Sequence, residues 1–288
     1  MPRVSVVVAT HNRGPMLREN LDSVLRQDFA DYEAIYVDDG STDETPAILE
    51  EYSSSHPDRL RVLRVPNGGQ GLARNAGARE AKGEFLLFTD DDTITPPDWV
   101  SKMMALYERH DCDALSGGFA PFSMQNRTER YMYYRECILC GNKPGYVRAV
   151  PAMSFLVPRE LFWEIGGFIA EPIEDWAFCR RLRETGKRLY YDPAVRVTHH
   201  YQTTWPQAIR RIRTPAIRGL YDWIDNGGSG LAYLAYTALN FAGSPVWILR
   251  YFPLDLYATA LWMEARFFAW RVQAYVLNLF GRRLHTPH

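Results

Sequence analysis

Cysteine is scarce: Cys112, Cys137, Cys140 and Cys179 are the four in 288 residues, too few for a disulfide framework. The Cys137-x-x-Cys140 pair has no second pair to complete a zinc site, and the intervening Ile138 and Leu139 mark a buried or half-buried helical turn instead. An excess of one charge is missing too. Lys plus Arg number 33 against 34 Asp plus Glu, so no whole-molecule field draws in nucleic acid, and any contact with a polyanion must be local. There is no internal repeat, no low-complexity stretch and no charged-then-apolar leader at the start. These absences together point to a reducing, cytoplasmic setting. A hydrophobic fraction of 47% with 23% charged residues excludes a disordered chain and allows a real core.

The first half alternates short apolar runs with helical patterns, the order that a parallel sheet with crossover helices needs. Val4 to Ala9, Glu33 to Val37, Leu60 to Val65 and Phe85 to Phe88 read as buried strands. Leu17, Leu21, Val24 and Leu25 recur at helical spacing after the first, and Trp99, Met103 and Leu106 after the fourth. A mixed region follows from Ala149 to about His200. It holds an apolar segment Met153 to Val157, a helix after Pro158, a second helix from Asp175, and short strands near Leu189 and Val195. Beyond Trp205 the composition changes, since Asn226 to Leu249 contains no charged residue and aromatic-rich helical sequence runs on to Phe280. The reading is therefore an α/β domain over residues 1–204, halved near 110, followed by a helical region over 205–288 with a boundary near Thr203.

Ligands of doubly wound sheets bind beyond the carboxyl ends of the strands, and polar residues gather there. The first strand delivers Thr10, His11, Asn12 and Arg13, the second Asp38, Asp39, Gly40 and Ser41, and the fourth Asp90, Asp91 and Asp92. Turn and helix-cap duty explains Ser41 and Asp43 as well as function does. Three consecutive carboxylates at the end of a buried strand repel one another unless a positive charge sits among them. A hard divalent cation, Mg2+ or Mn2+, satisfies that need with carboxylate oxygens and shares its other positions with substrate phosphates. Gly68, Gly69 and Gly71 match neither the dinucleotide fingerprint nor a P-loop and read as turn residues, with Arg74 close to the donor.

In this order the motifs resemble the inverting glycosyltransferases of family 2, which have the GT-A fold. The resemblance covers about residues 3 to 204. It rests on Val4 to Arg13, on Val37-Asp38-Asp39-Gly40-Ser41-Thr42-Asp43, and on Asn67 to Gly77 with Ala73-Arg74-Asn75. Gly83-Glu84-Phe85 leading into Asp90-Asp91-Asp92, then Gly166-Gly167-Phe168 and Glu174-Asp175-Trp176, complete it. The resemblance implies that Thr10, Arg13 and Asp39 line the nucleoside pocket, that Asp90 and Asp91 lie by the ribose and sugar, and that Asp92 binds the metal. It also implies a catalytic base at Asp175, and a metal or diphosphate contact at His199, a role the adjacent His200 could take instead. The implied reaction moves a sugar from a nucleotide diphosphate, with uridine the expected nucleoside, to a glycan or lipid-linked acceptor hydroxyl. Because Asp175 opens a helix, the macrodipole is expected to stabilise its carboxylate and make it a mild base.

Two other readings compete. Phe85 to Phe88 followed by Asp90-x-Asp92 resembles the nucleophile motif of haloacid dehalogenase-type phosphoryl-transfer enzymes, although that motif normally opens a chain. A non-catalytic, membrane-associated protein binding nucleotide sugars or glycans is the other, but it has no need of Asp92 and Asp175. Arg210, Arg211, Arg213 and Arg218 form a basic cluster suited to a solvated face, to a diphosphate or to anionic lipid. Gly227, Gly228, Gly230, Asn240, Gly243 and Pro245 weaken a spanning helix, whereas Trp262, Phe267, Phe268 and Trp270 suit an interface. The expectation is peripheral attachment at the inner face of the cell membrane, with packing on a second subunit as the alternative use of the same aromatics.

Overall fold

The computed structural model describes residues 1–14, 16–169, 173–201, 204–225 and 227–283, with side chains at 139 and at several positions from 211 to 251 left aside. The boundary expected near Thr203 lies outside the described residues, as do the side chains of Arg211 and Arg218. The described chain forms two compact units, Met1–Phe122 with Leu139–His200, and Ser123–Ile138 with Tyr201–His288.

The first unit opens with β1 (Val4–Thr10), α1 (Met16–Leu25), β2 (Tyr32–Asp39), α2 (Thr45–Ser55), β3 (Leu60–Val65), α3 (Gln70–Glu80) and β4 (Phe85–Asp90). It continues with β5 (Thr93–Ile94), α4 (Trp99–Arg109), β6 (Ala114–Pro121), α5 (Arg127–Cys140), β7 (Gly145–Tyr146), β8 (Ser154–Pro158), α6 (Arg159–Glu164), α7 (Glu174–Glu184) and β9 (Leu189–His199). Only the last two residues of α5, Leu139 and Cys140, belong to this unit. The strands make one sheet in the order β3-β2-β1-β4-β8-β6-β9-β5, with β7 paired to β9. From β3 to β4 the pairing is parallel; β8 then runs antiparallel to both β4 and β6.

Every residue of β1 and β2 is buried, as strands covered by helices on both faces must be. Leu17, Leu21 and Val24 of α1 and Trp99, Met103 and Leu106 of α4 supply the covering side chains at helical spacing. Helix α3 lies close on the sheet at Gly77, where a β-carbon would come 2.6 Å from Val7 Cγ1 and 3.0 Å from Val37 Cγ2. The two short strands expected near Leu189 and Val195 are one strand, β9, whose pairing with β6 slips at Gly117/Gly118 opposite Asp192 to Arg196. An aromatic cluster seats α6 and α7: the Phe88, Phe162, Phe168 and Phe178 rings lie 5.1 to 5.5 Å from their neighbours.

The second unit is helical: the bulk of α5, then α8 (Trp205–Asp225), α9 (Gly230–Tyr251) and α10 (Tyr257–Leu279). Its core joins Tyr131 and Met132 to Ile212, Ile217 and Leu220 of α8, Ile248 of α9 and Met263 of α10. Cys137 is half-buried and Cys140 buried on the last turn of α5, the helical turn expected for that pair. No described helix is long and apolar enough to cross a membrane.

Candidate active site

Strand order reverses at β1: β2 and β3 follow on one side and β4 lies on the other, so the crevice at their carboxyl ends is a topological switch point. The loop leaving β1 turns through Asn12, whose φ of 51° is left-handed. It is pinned by Ser41 Oγ, which accepts from the Asn12 amide at 2.9 Å, and by Thr45 Oγ1, which accepts from the amides of Arg13 and Gly14 at 2.9 and 3.0 Å. Asp38 accepts from the Ser41 amide and Asp43 from the Thr45 amide. Ser41 and Asp43 are thus turn-holding residues. Both carboxylate oxygens of Asp39 accept backbone N–H groups, from Gly68 at 2.8 Å and Gly69 at 2.9 Å. The glycine-rich turn therefore does more than reverse the chain: it cradles a carboxylate.

The acid triplet sits on the end of β4, held by Asn20, whose amide nitrogen donates to the carbonyls of Asp90 and Thr93 at 2.9 and 2.8 Å. Arg13 reaches across from the β1 loop, its Nε 2.9 Å from Asp91 Oδ1 and its terminal nitrogen 3.0 Å from Asp92 Oδ2. Burial alone would lower the proton affinity of this guanidinium, but the three carboxylates raise it above the ordinary value. Burial pushes the Asp91 carboxyl up to about 7, with Arg13 opposing and Asp92 reinforcing the effect, and the Thr10 hydroxyl also acts on it. His199 closes the site from the end of β9, with Nε2 3.2 Å from Asp92 Oδ1. Ligand atoms of Asp90, Asp92 and His199 all lie within 4.8 Å of one another. His200, one residue past the end of β9, turns instead toward Glu19 at 3.4 Å and stacks on Phe122 at 3.8 Å.

Glu174 and Asp175 open α7. Asp175 retains some surface, yet its carboxylate is packed about by protein. Oδ2 accepts from the Ala152 amide at 3.2 Å and Oδ1 from the Trp176 amide at 2.8 Å. The mild base expected from the helix dipole is not what results. Burial first, and the neighbouring Glu174 second, push the Asp175 carboxyl up to about 7 against the opposing charge of Arg74 and the two amides. Arg74, on α3, is almost wholly buried. It donates to Glu174 Oε1 at 2.7 Å and forms an ion pair with Asp90.

Of the residues expected from sequence, Arg13, Asp90, Asp91, Asp92 and His199 thus meet directly, and Thr10 abuts Asp91. Asp39 occupies a corner of its own beside Gly68 and Gly69. Arg74 is engaged with two carboxylates, one on each side of the site. Three contributors carry little signal of their own. Glu174 partners Arg74, Gln70 donates to Asp90 Oδ1 at 3.0 Å, and Asn75 makes a reciprocal pair with the Phe168 backbone at 2.6 and 2.9 Å. All three lie inside the family motifs, Gln70 and Asn75 within Asn67 to Gly77 and Glu174 beside Asp175, but the motifs give none of them a role.

A family model described as glycosyl transferase family 2 matches residues 5–166. An uncharacterised glycosyltransferase, EpsJ, of Bacillus subtilis is 34% identical over 44% of this chain and 37% of its own length. The poly(ribitol-phosphate) beta-N-acetylglucosaminyltransferase TarS of Staphylococcus aureus is 35% identical over 40% of this chain and 20% of its own. The matches thus span about a third or less of those relatives. Among solved structures, a mannosyltransferase of Pyrobaculum calidifontis in complex with GDP-Man and Mn2+ superposes with a TM-score of 0.69 at 22% identity, over 96% of this chain and 88% of that one. A TarS structure in complex with UDP gives 0.55 at 22% identity over 75% and 65%. The fold is GT-A, a mostly parallel sheet with crossover helices, followed by a helical segment.

Proposed function

Because the chain belongs to glycosyl transferase family 2, we propose that it transfers a sugar from a nucleotide diphosphate donor to an acceptor hydroxyl with inversion at the anomeric carbon. The observation that carries this reading is a divalent-cation donor set joined, through the Asp90–Arg74–Glu174 ion pairs, to a turn that bears a separate, weakly acidic carboxyl. Asp90, Asp92 and His199 are that donor set. Two carboxylates fit Mg2+ or Mn2+, and the added imidazole weights the choice toward Mn2+. When bound, such an ion offsets the charge that grows on the departing diphosphate.

The chain's own groups divide the remaining work. Thr10, Arg13 and Asp39 line the nucleoside side of the crevice, and Asp39, already fixed by Gly68 and Gly69, offers its remaining lone pairs to the base or ribose. Asp90 and Asp91 border the sugar. Asp175 takes the proton of the attacking hydroxyl, and a carboxyl raised to about 7 is suited to that at neutral pH. A uridine nucleotide is the donor proposed, and a glycan or lipid-linked acceptor the partner. The family match speaks against haloacid dehalogenase-type phosphoryl transfer. The intact acidic residues speak against a silent binding protein.

Calorimetry with UDP and GDP in the presence of Mn2+ tests the donor side. Binding of UDP that Asp39→Ala abolishes is the expected result; tighter binding of GDP would overturn the uridine assignment and leave the reaction class standing.

A further inference from the structure

We propose that Arg74 is a positioning residue, a joint that locks the base-bearing Glu174-Asp175 turn to the donor-side Asp90 and sets a cation beside that turn, and not a contact to the nucleotide. The proposal rests on the reading of Asp175 as the general base.

The geometry commits most of the guanidinium, leaving only its buried Nε without a hydrogen bond. The Arg74 side chain is 3% exposed, and its two terminal nitrogens are committed, one to Asp90 and one to Glu174. The face of its guanidinium lies 5.5 Å from the centre of the Phe168 ring, so that side is closed as well. The joint is supported at both ends. Gln70, one turn earlier on α3, donates to the same Asp90 oxygen at 3.0 Å. At Gly71 a β-carbon would come 3.0 Å from Glu174 Cγ and 3.3 Å from the carbonyl of Ile169, so α3 packs tightly on the start of α7 there. Asn75, one residue beyond Arg74, binds the Phe168 backbone in both directions.

A buried cation between two partly buried carboxylates is costly to break, because removal of one partner leaves the others uncompensated. Breaking this one would act on Asp175 in a defined direction. The charged groups facing Asp175 are Glu174 beside it on α7, which disfavours its ionisation, and Arg74 from α3, which favours it; Cys179, one turn further along α7, also feels its charge. Substitutions at Glu174 and Arg74 should therefore move Asp175 in opposite senses, whereas two residues that merely filled space would move it together or not at all.

The test is an NMR titration of the full chain with isotope-labelled aspartate side chains, in which the Asp175 signal is the one absent from Asp175→Asn. The wild type should titrate near 7. Glu174→Gln should lower the proton affinity of Asp175 by about tenfold, and Arg74→Met should raise it by about as much, with Arg74→Lys close to wild type. Should Arg74→Met fail to fold, the double variant Arg74→Met with Glu174→Gln, which removes both charges of the pair, should bring Asp175 back toward the wild-type titration from that of Glu174→Gln alone, and a double variant that titrates like Glu174→Gln would overturn the proposal. Identical titrations in every variant would overturn the proposal. So would loss of UDP and Mn2+ binding by calorimetry in Arg74→Lys with Asp175 unmoved, which would make Arg74 a donor contact. If the titrations separate as expected while Asp175→Asn keeps its turnover, the base assignment fails and the joint stands.

Discussion

Asp175 shows how one residue's chemistry depends on its neighbours' charges. Its place at a helix start, visible in the sequence, argues for a stabilised carboxylate, but burial and the adjacent Glu174 outweigh the dipole. The sequence gives Glu174 and Asp175 as a pair; it cannot say that Ala152, distant in sequence, seals the carboxylate. The acid limb of the pH–rate profile should accordingly lie near 7, with activity falling as pH drops below it. Asp175→Asn should lower turnover by roughly a hundredfold or more while donor affinity stays nearly constant. Stability follows the same group with its own sign. A carboxyl that holds its proton more tightly folded than unfolded contributes stability that is complete below the ordinary value of 3.8 and is lost as pH rises through about 7. Asp175→Asn should remove that loss, measurable as a flatter dependence of Tm on pH. The metal assignment has its own test at this scale: Asp92→Ala should abolish Mn2+ binding by calorimetry and Mn2+-dependent transfer, and activity that survives a chelator in the wild type would sink it.

At the scale of elements, the sequence is legible where burial is two-sided and opaque where geometry is irregular. Strands β1 to β4 and helices α1 and α4 are legible because their apolar residues recur at periods of two and 3.6 or run unbroken, whereas the two-residue β5 is too short to show a period. Strand β6 reads Ala-Leu-Ser-Gly-Gly-Phe-Ala-Pro, and the paired glycines that hide it make room for the bulge of β9 at Pro193 to Val195. The same bulge makes β9 read as two short strands. The start of α7 depends on the aromatic cluster beneath it: Phe168 touches Phe88, Phe162 and Phe178, and the Phe168 backbone is bound by Asn75. Phe168→Ala should cost about 3–5 kcal/mol of stability by denaturant titration, the range for truncating a buried aromatic ring. It should also lower turnover more than donor affinity, since the displaced element bears Asp175. Equal losses in both would detach this cluster from the base.

For the whole molecule, charge and hydropathy are distributed unevenly, and the distribution points to a surface. Residues 201–288 carry nine arginines and no lysine against four acidic residues, so the acidic excess resides in the remainder of the chain. Within that basic region α9 turns an apolar face outward. It buries Thr237 and Ser244 beside Tyr233 and Ile248 and exposes Leu231, Leu239, Val246 and Leu249, with Leu239 and Val246 each 75% exposed. A helix with a charged solvent face would do the reverse, whereas a helix lying in the acyl boundary of a bilayer turns its apolar residues outward. On α10 the exposed Trp262 has the Arg266 guanidinium 4.8 Å over its ring, an aromatic and cationic pair suited to the headgroup zone. We therefore predict peripheral attachment to anionic membranes, with no helix crossing them. The full chain should sediment with vesicles containing anionic phospholipid, less so at high salt, where the arginines are screened. Leu239→Asp with Val246→Asp should reduce that partition at least about a hundredfold, because each apolar side chain is worth about 1.5–3 kcal/mol when buried. A chain that ignores such vesicles but self-associates, and becomes monomeric in the same double variant, would make this face a contact between copies of the protein instead.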